Sequence, residues 1–257
     1  MEIFKRLFSY RELLKSNVKK EIRGKYKGSF LGILWSFINP LLTVLVYAIV
    51  FPYILRVKMD NYLIFLIVGV IPWNFFITTV TQGTTTVLAN GDIIKKVFFP
   101  REILPISVAV STLINFFISC IIVLLFVIGS GIGVHIYLVM LPVIALIQFM
   151  FSLGLIFILS AIDIYVRDVE YIVNFIISML FYGTPIIYSI DMFPQKFRWL
   201  LNLNPMAHIV NSYRSIFYYL EWPNFKTLGI VAIVSFATMV FGYMIFRKLE
   251  KGFAEEV

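Results

Sequence analysis

Long apolar stretches alternate with short polar ones along the chain. Five stretches lack any Asp, Glu, Lys or Arg: Gly28–Leu55, Asn61–Gly91, Ile103–Ile162, Tyr171–Ile190 and Thr227–Phe246, of 28, 31, 60, 20 and 20 residues. A helix crosses the hydrocarbon core of a bilayer, about 30 Å thick, in about 20 residues. Drawn as one helix, Ile103–Ile162 would run about 90 Å at 1.5 Å per residue. It must fold back, and Gly129-Ser130-Gly131-Ile132-Gly133 is the natural turn. The pattern therefore predicts an all-α membrane protein with six transmembrane helices, at roughly 30–55, 62–82, 104–128, 136–161, 171–189 and 227–246. The fifth carries Gly183 and Pro185 near its end.

Residues 1–27 form a segment of their own, ahead of a six-span domain at 28–257. Ile3, Phe4, Leu7, Phe8, Leu13, Leu14, Val18 and Ile22 are interleaved with nine Lys and Arg, including Arg23, Lys25 and Lys27. This is the pattern of an amphipathic basic helix lying on an anionic membrane surface. A plain positively charged anchor explains it equally well. The segment 191–226 is too polar for a span and too apolar for a solvated loop. Two short helices dipping into the outer leaflet and returning satisfy it, and so does a pair lying flat at the interface.

Composition agrees with the pattern. Of 257 residues 60% are hydrophobic and 14% charged, with mean hydropathy +0.92, against roughly 25% charged residues in soluble domains. Soluble enzymes, disordered chains and fibrous repeats are excluded. The lone Cys120 cannot form an intrachain disulfide. The net charge of +8 would suit nucleic acid, but the basic residues flank the spans instead. Sixteen of the 22 Lys and Arg fall before the first span, after the second and fourth, or in the tail. By the positive-inside rule both termini are cytoplasmic. The basic, polar first 27 residues are unlike a cleavable signal peptide.

No span contains an Asp, Glu, Lys or Arg, which argues against proton- or sodium-coupled carriers. There is no GxxxxGK[ST] loop for ATP, and no HExxH, CxxC or GxSxG motif. His135 and His208 lack ligand partners at helical spacing. The nearest thing to a catalytic cluster is Asp163, Asp168 and Glu170, which reads more simply as a solvated helix connection.

Aromatic residues make up 17% of the chain. Trp35, Tyr47, Trp73, Phe75, Phe76, Phe181, Tyr182 and Tyr188 lie along spans 1, 2 and 5 among small or polar residues. Aromatic faces stack on the C–H faces of sugars at any register, which suits a polymer that slides. The run Thr78, Thr79, Thr81, Gln82, Thr84, Thr85 and Thr86 needs protein or water on one face. In the loop 90–102, Asp92 is placed to cap a short helix and Pro100 to stop it. Ile93 with Val97, and Ile94 with Phe98, form i,i+4 pairs. Such a helix is a knob for a partner's groove or an interfacial helix touching headgroups.

Several segments together resemble a known family: R-G-K-Y-K-G-S-F-L-G-I-L-W-S-F-I-N-P (Arg23–Pro40), G-V-I-P-W-N-F-F (Gly69–Phe76), N-G-D-I-I-K-K-V-F-F-P-R-E-I-L-P (Asn90–Pro105), Arg167-Asp168-Val169, Leu203-Asn204-Pro205-Met206 and Tyr213-Arg214. In this order, over nearly the whole chain, they resemble the membrane permeases of ABC-2 type polysaccharide exporters. That group includes O-antigen, capsule and teichoic acid exporters, and the likeness is closest to the O-antigen kind. The resemblance implies a homodimer with two soluble ATPase subunits, exporting a lipid-linked polysaccharide across the inner membrane. ATP and Mg would sit on the partner, leaving this chain without a cofactor or enzymatic activity of its own. Asp92, Ile93, Lys95, Lys96, Phe98, Phe99, Arg101 and Glu102 would form the coupling helix region, with Arg167, Asp168 and Glu170 a second contact. The segment 191–220 would be a periplasmic re-entrant pair. Arg23, Lys25 and Lys27 have the charge and place to meet a lipid-borne pyrophosphate. Competing readings are an ABC-2 exporter of a drug or small lipid, a membrane-embedded glycosyl or lipid-phosphate transferase, and a scaffold.

Overall fold

The computed structural model describes residues 8–24, 30, 34–55 and 60–256. The described residues form helices and connecting turns, with no strand among them. The helices are α1 (Arg11–Gly24), α2 (Trp35–Leu55), α3 (Tyr62–Thr85), α4 (Gly91–Lys96), α5 (Ile103–Gly129), α6 (Leu141–Asp163), α7 (Val169–Tyr182), α8 (Arg198–Leu203), α9 (Pro205–Arg214), α10 (Phe225–Leu249) and α11 (Phe253–Glu256). A π-turn at Ser215–Tyr219 extends α9, and a 3₁₀ turn at Ile136–Met140 leads into α6.

Four of the described helices are long and apolar enough to cross a membrane: Tyr62–Thr85, Ile103–Gly129, Ile136–Asp163 and Phe225–Gly252. They coincide with the second, third, fourth and sixth expected spans. Gly131 and Gly133, at φ 81° and 82°, make the turn between two of them, in a left-handed conformation that suits glycine. The expected first span contains α2, of 21 residues. The expected fifth span is different. Its helix, α7, has 14 residues, about 21 Å at 1.5 Å per residue, and ends before Gly183-Thr184-Pro185. Proline supplies no N–H to the helical ladder and disfavours the α conformation in the residue before it.

The central element is α3. It packs against α2, α5, α6, α7 and α9, and is buried almost all round, as expected of a helix apolar on every face. Its hydroxyls are absorbed locally. Thr79, Thr81 and Thr84 donate to the carbonyls four residues back at 2.7–2.8 Å, and Thr79 also bonds Thr112 of α5 at 2.8 Å. The protein face expected for the threonine run is thus supplied in part by the chain itself. Gln148 of α6, fully buried, donates to the Pro72 carbonyl at 2.8 Å.

The most extensive helix pair is α6 with α10. A Cβ on Gly154 would lie 2.6 Å from the Met239 backbone nitrogen, and one on Gly242 would strike the Gly154 carbonyl. Small residues let two backbones approach in this way inside a membrane. At the N-terminal side, α1 packs on α5. Leu13, Leu14, Val18 and Ile22 are partly buried, while Arg11, Lys15, Lys19 and Arg23 are exposed, so the amphipathic pattern is used against protein.

Candidate functional site

Two regions hold the residues singled out above: a ridge around α4 and an aromatic seam joining α2, α3 and α7. The ridge begins at Asn90, which receives a bond from Lys20 Nζ of α1 at 2.9 Å and donates to the Thr86 carbonyl at 2.7 Å. Asp92 stands in the first turn of α4 and Lys95 and Lys96 in the last, which complements the helix dipole. Gly91 and Ile94 face inward, whereas Asp92, Ile93, Lys95, Lys96 and Val97 are exposed. At Val97 the backbone becomes extended, so successive side chains point to opposite faces. Phe98 is 93% exposed and Phe99 7%. The Phe-Phe pair splits into one ring on the surface and one in the core.

A second layer fixes the ridge from behind. Arg101 donates to the Glu250 carbonyl, and its guanidinium lies 5.8 Å from the Phe253 ring centroid. Glu102 is buried at the start of α5. Tyr165, beside Arg167, donates to the Leu249 carbonyl at 2.9 Å and lies tilted to Phe253, ring centroids 6.4 Å apart. Phe253 is fully buried against Phe246 at 5.4 Å. Arg247 pairs with Glu250 at 2.5 Å. The loops at 97–102 and 164–168 are thereby joined to one C-terminal turn. Arg167, Asp168 and Glu170 are exposed, and Asp163 is buried away from water. Sequence reasoning passed over this tail, although Phe253 is an isolated ring within the charged run Arg247–Glu256.

The aromatic seam runs Tyr47–Phe181–Trp73–Phe76, with ring centroids 6.1, 5.9 and 5.4 Å apart, and Tyr182 stands 5.3 Å from Phe181. Trp73, Phe75 and Phe76 are 2–4% exposed within this chain. Phe75 points elsewhere, stacking on Phe116 of α5 at 5.0 Å. Trp35 stands apart at the start of α2 and is 37% exposed. Tyr182 is exposed, and Tyr188, half-buried, donates to the Tyr182 carbonyl at 2.7 Å. Along α7, Tyr171, Asn174, Ser178 and Tyr182 form one exposed polar stripe at helical spacing. The sequence reading missed Asn174 and Ser178, whose spacing to Tyr182 was visible.

Arg23 is exposed at the end of α1; Lys25 and Lys27 lie outside the described residues. His135 and His208 each contact a nearby carbonyl, of Ile132 and Asn202. Among the described residues no group of three His, Cys, Asp or Glu could hold a metal.

Residues 12–218 match the ABC-2 type transporter family. The chain is also similar to the O-antigen export system permease protein RfbA of Myxococcus xanthus, 36% identical over 259 residues and covering 100% of both chains. Two such permeases of Klebsiella pneumoniae are 37% identical over 246 residues, covering 95% of this chain and 94% of theirs. With membrane-length apolar helices and a full-length match to permeases, the chain belongs to the ABC-2 type transporter family.

Proposed function

We propose that this chain is the membrane subunit of an ATP-driven exporter of lipid-linked polysaccharide, of the O-antigen type, in the inner membrane. The observation that carries this reading is the 36–37% identity to O-antigen export permeases over 95–100% of the chain. Two copies pair, and each seats one soluble ATPase subunit, which binds ATP and Mg. This chain binds no cofactor, carries out no chemistry of its own and does not engage nucleic acid. Residues 28–257 make the six-span domain, with α2 as the first span and α7 plus the backbone after it as the fifth. The helix α1 lies along the membrane surface. Both termini are cytoplasmic, and 191–220 is the re-entrant segment near the periplasmic exit.

On this reading the ridge Asp92–Phe98 enters a groove on the ATPase. Phe98 is the anchor, since a large exposed apolar ring can fill a pocket on a partner. Phe99, Arg101 and Glu102 hold the ridge in place, and Arg167, Asp168 and Glu170 form a second contact. The exposed polar stripe of α7 supports a path between two copies, because such a stripe is unfavourable against lipid. Tyr182 and Tyr188, with Trp35, Tyr47 and Phe181, meet the polymer first. Trp73 and Phe76 back them and line the path when the helices part, whereas Phe75, stacked on Phe116 of α5, faces away from it. Arg23, Lys25 and Lys27 receive the lipid-borne phosphate.

The test is co-purification with the cognate ATPase together with loss of the chain in cells. Equimolar ATPase in the purified complex, and polymer accumulating on its lipid carrier inside cells lacking the chain, are expected. A chain that purifies without an ATPase, and whose loss leaves surface polymer intact, overturns the proposal.

A further inference from the structure

The backbone that follows α7, Gly183-Thr184-Pro185-Ile186-Ile187, leaves the helical ladder while running through the protein interior. Thr184 to Ile187 are buried. Irregular backbone inside a membrane protein persists only where its polar groups find other partners. Here side chains from two other elements supply them. Asn204 Nδ2, just before α9, donates to the Gly183 carbonyl at 3.1 Å and to Thr184 Oγ1 at 2.9 Å. Arg214, the last residue of α9, forks across two carbonyls, Pro185 at 2.5 Å and Ile186 at 2.6 Å. Tyr62 of α3 donates to the Ile187 carbonyl at 2.8 Å. The Thr184 carbonyl receives the Ile186 N–H at 2.7 Å.

Arg214 is the centre of this joint. It is 1% exposed, and among the described residues no carboxylate forms an ion pair with it. Its guanidinium lies 3.5 Å from the Phe65 ring centroid, where the ring's negative face attracts a cation. Gly69 makes room for it. A Cβ there would stand 2.9 Å from Nη2 and 2.8 Å from the Ile186 carbonyl oxygen. A buried cation is a poor source of stability compared with an apolar side chain of the same volume. What an arginine provides, and an apolar residue does not, is a rigid planar fork that fixes two acceptors at once. The segment it fixes connects exposed Tyr182 to Tyr188, whose hydroxyl bonds the Tyr182 carbonyl at 2.7 Å.

We infer that Arg214 is a positioning residue for export: it holds the Gly183–Ile187 backbone so that Tyr182 and Tyr188 are presented to the passing polymer. This rests on the proposed function, which places those two rings on the path.

The test uses the full complex with its ATPase in nanodiscs, and lipid-linked polysaccharide extracted from cells lacking the transporter. ATP hydrolysis per assembled complex is followed against polymer concentration for wild type, Arg214→Lys, Arg214→Met and Tyr62→Phe. The expected result is a rise of about tenfold in the half-maximal polymer concentration for Arg214→Met, and smaller rises for Arg214→Lys and Tyr62→Phe. A defect in folding alone would remove complexes without moving that concentration in those that remain. An unchanged half-maximal concentration in Arg214→Lys and Tyr62→Phe overturns the inference. So does failure of all three variants to assemble, which would assign Arg214 to folding only. If the polymer does not stimulate even the wild-type complex, the proposed function fails, and the inference falls with it for that separate reason.

Discussion

The bundle is interrupted at 97–102 and at 183–188, each time beside a proline, and the two interruptions are built in opposite ways. At 183–188 side chains turn inward to serve the backbone. Asn204, Arg214 and Tyr62 donate to its carbonyls, and the segment from Thr184 to Ile187 is buried. At 97–102 the chain keeps one ring, Phe99, in the core and directs the other, Phe98, outward at 93% exposure. The break at 183–188 is sealed, and the one at 97–102 leaves a large ring in the open. A proline beside the break is common to both, so its presence alone does not say whether a break is an internal joint or a docking surface. The difference lies in which groups are satisfied within the chain.

That contrast can be broken by substitution. The largest effect is expected for Phe99→Ala, which empties a buried site and should lower stability by about 3 kcal/mol, read as earlier thermal unfolding in detergent. Next is Asn204→Ala. It removes the cap on α9, seen as the Met206 N–H to Asn204 bond at 3.0 Å, and the donor to Gly183. A loss of about 2 kcal/mol in stability, with ATPase affinity unchanged, would mark the joint as internal. Phe98→Ala should do the reverse, weakening ATPase binding by about 2 kcal/mol, roughly 30-fold, with unfolding unmoved. Titration of the purified ATPase onto the solubilised permease would measure it. Unaltered affinity would show that Phe98 touches lipid or water instead. The smallest effect is expected for Lys20→Met, which removes the 2.9 Å bond to Asn90. About 0.5 kcal/mol should be lost, seen as a lower ratio of polymer exported to ATP consumed, with ATPase binding intact.

Within the ridge, much was legible in advance. Asp92, Pro100 and the i,i+4 apolar pairs predict a short helix, and α4 is there at Gly91–Lys96, but Asp92 stands in its first turn instead of capping it. The helix ends at Lys96, which leaves Val97 on extended backbone and takes Val97 and Phe98 out of the expected pairs with Ile93 and Ile94. The two adjacent phenylalanines could not be told apart by pattern, because either could face the core. The extended backbone at Val97 points the two to opposite faces, and the Arg101 bond ties the loop to the C-terminal turn. That bond joins residues about 150 positions apart, Arg101 and Glu250. In the seam the aromatic set was visible but its partition was not. Trp73, Phe75 and Phe76 are buried where Tyr182 is exposed, because α3 is surrounded by other helices while α7 packs on the bundle along one side only.

That the chain is helical and apolar enough for a bilayer, and where four long helices lie, could be read from residue order alone. This is so because charge-free length and the glycine turn are local, and the cost of placing a charge in hydrocarbon is large. That the residues after α7 are held by Asn204, Arg214 and Tyr62 follows only from tertiary contacts, since Gly183 and Pro185 mark where the helix ends but not what replaces its ladder. A carbonyl that leaves a helix can be satisfied by any donor in reach, and nothing in the neighbouring sequence says which donor the fold will bring.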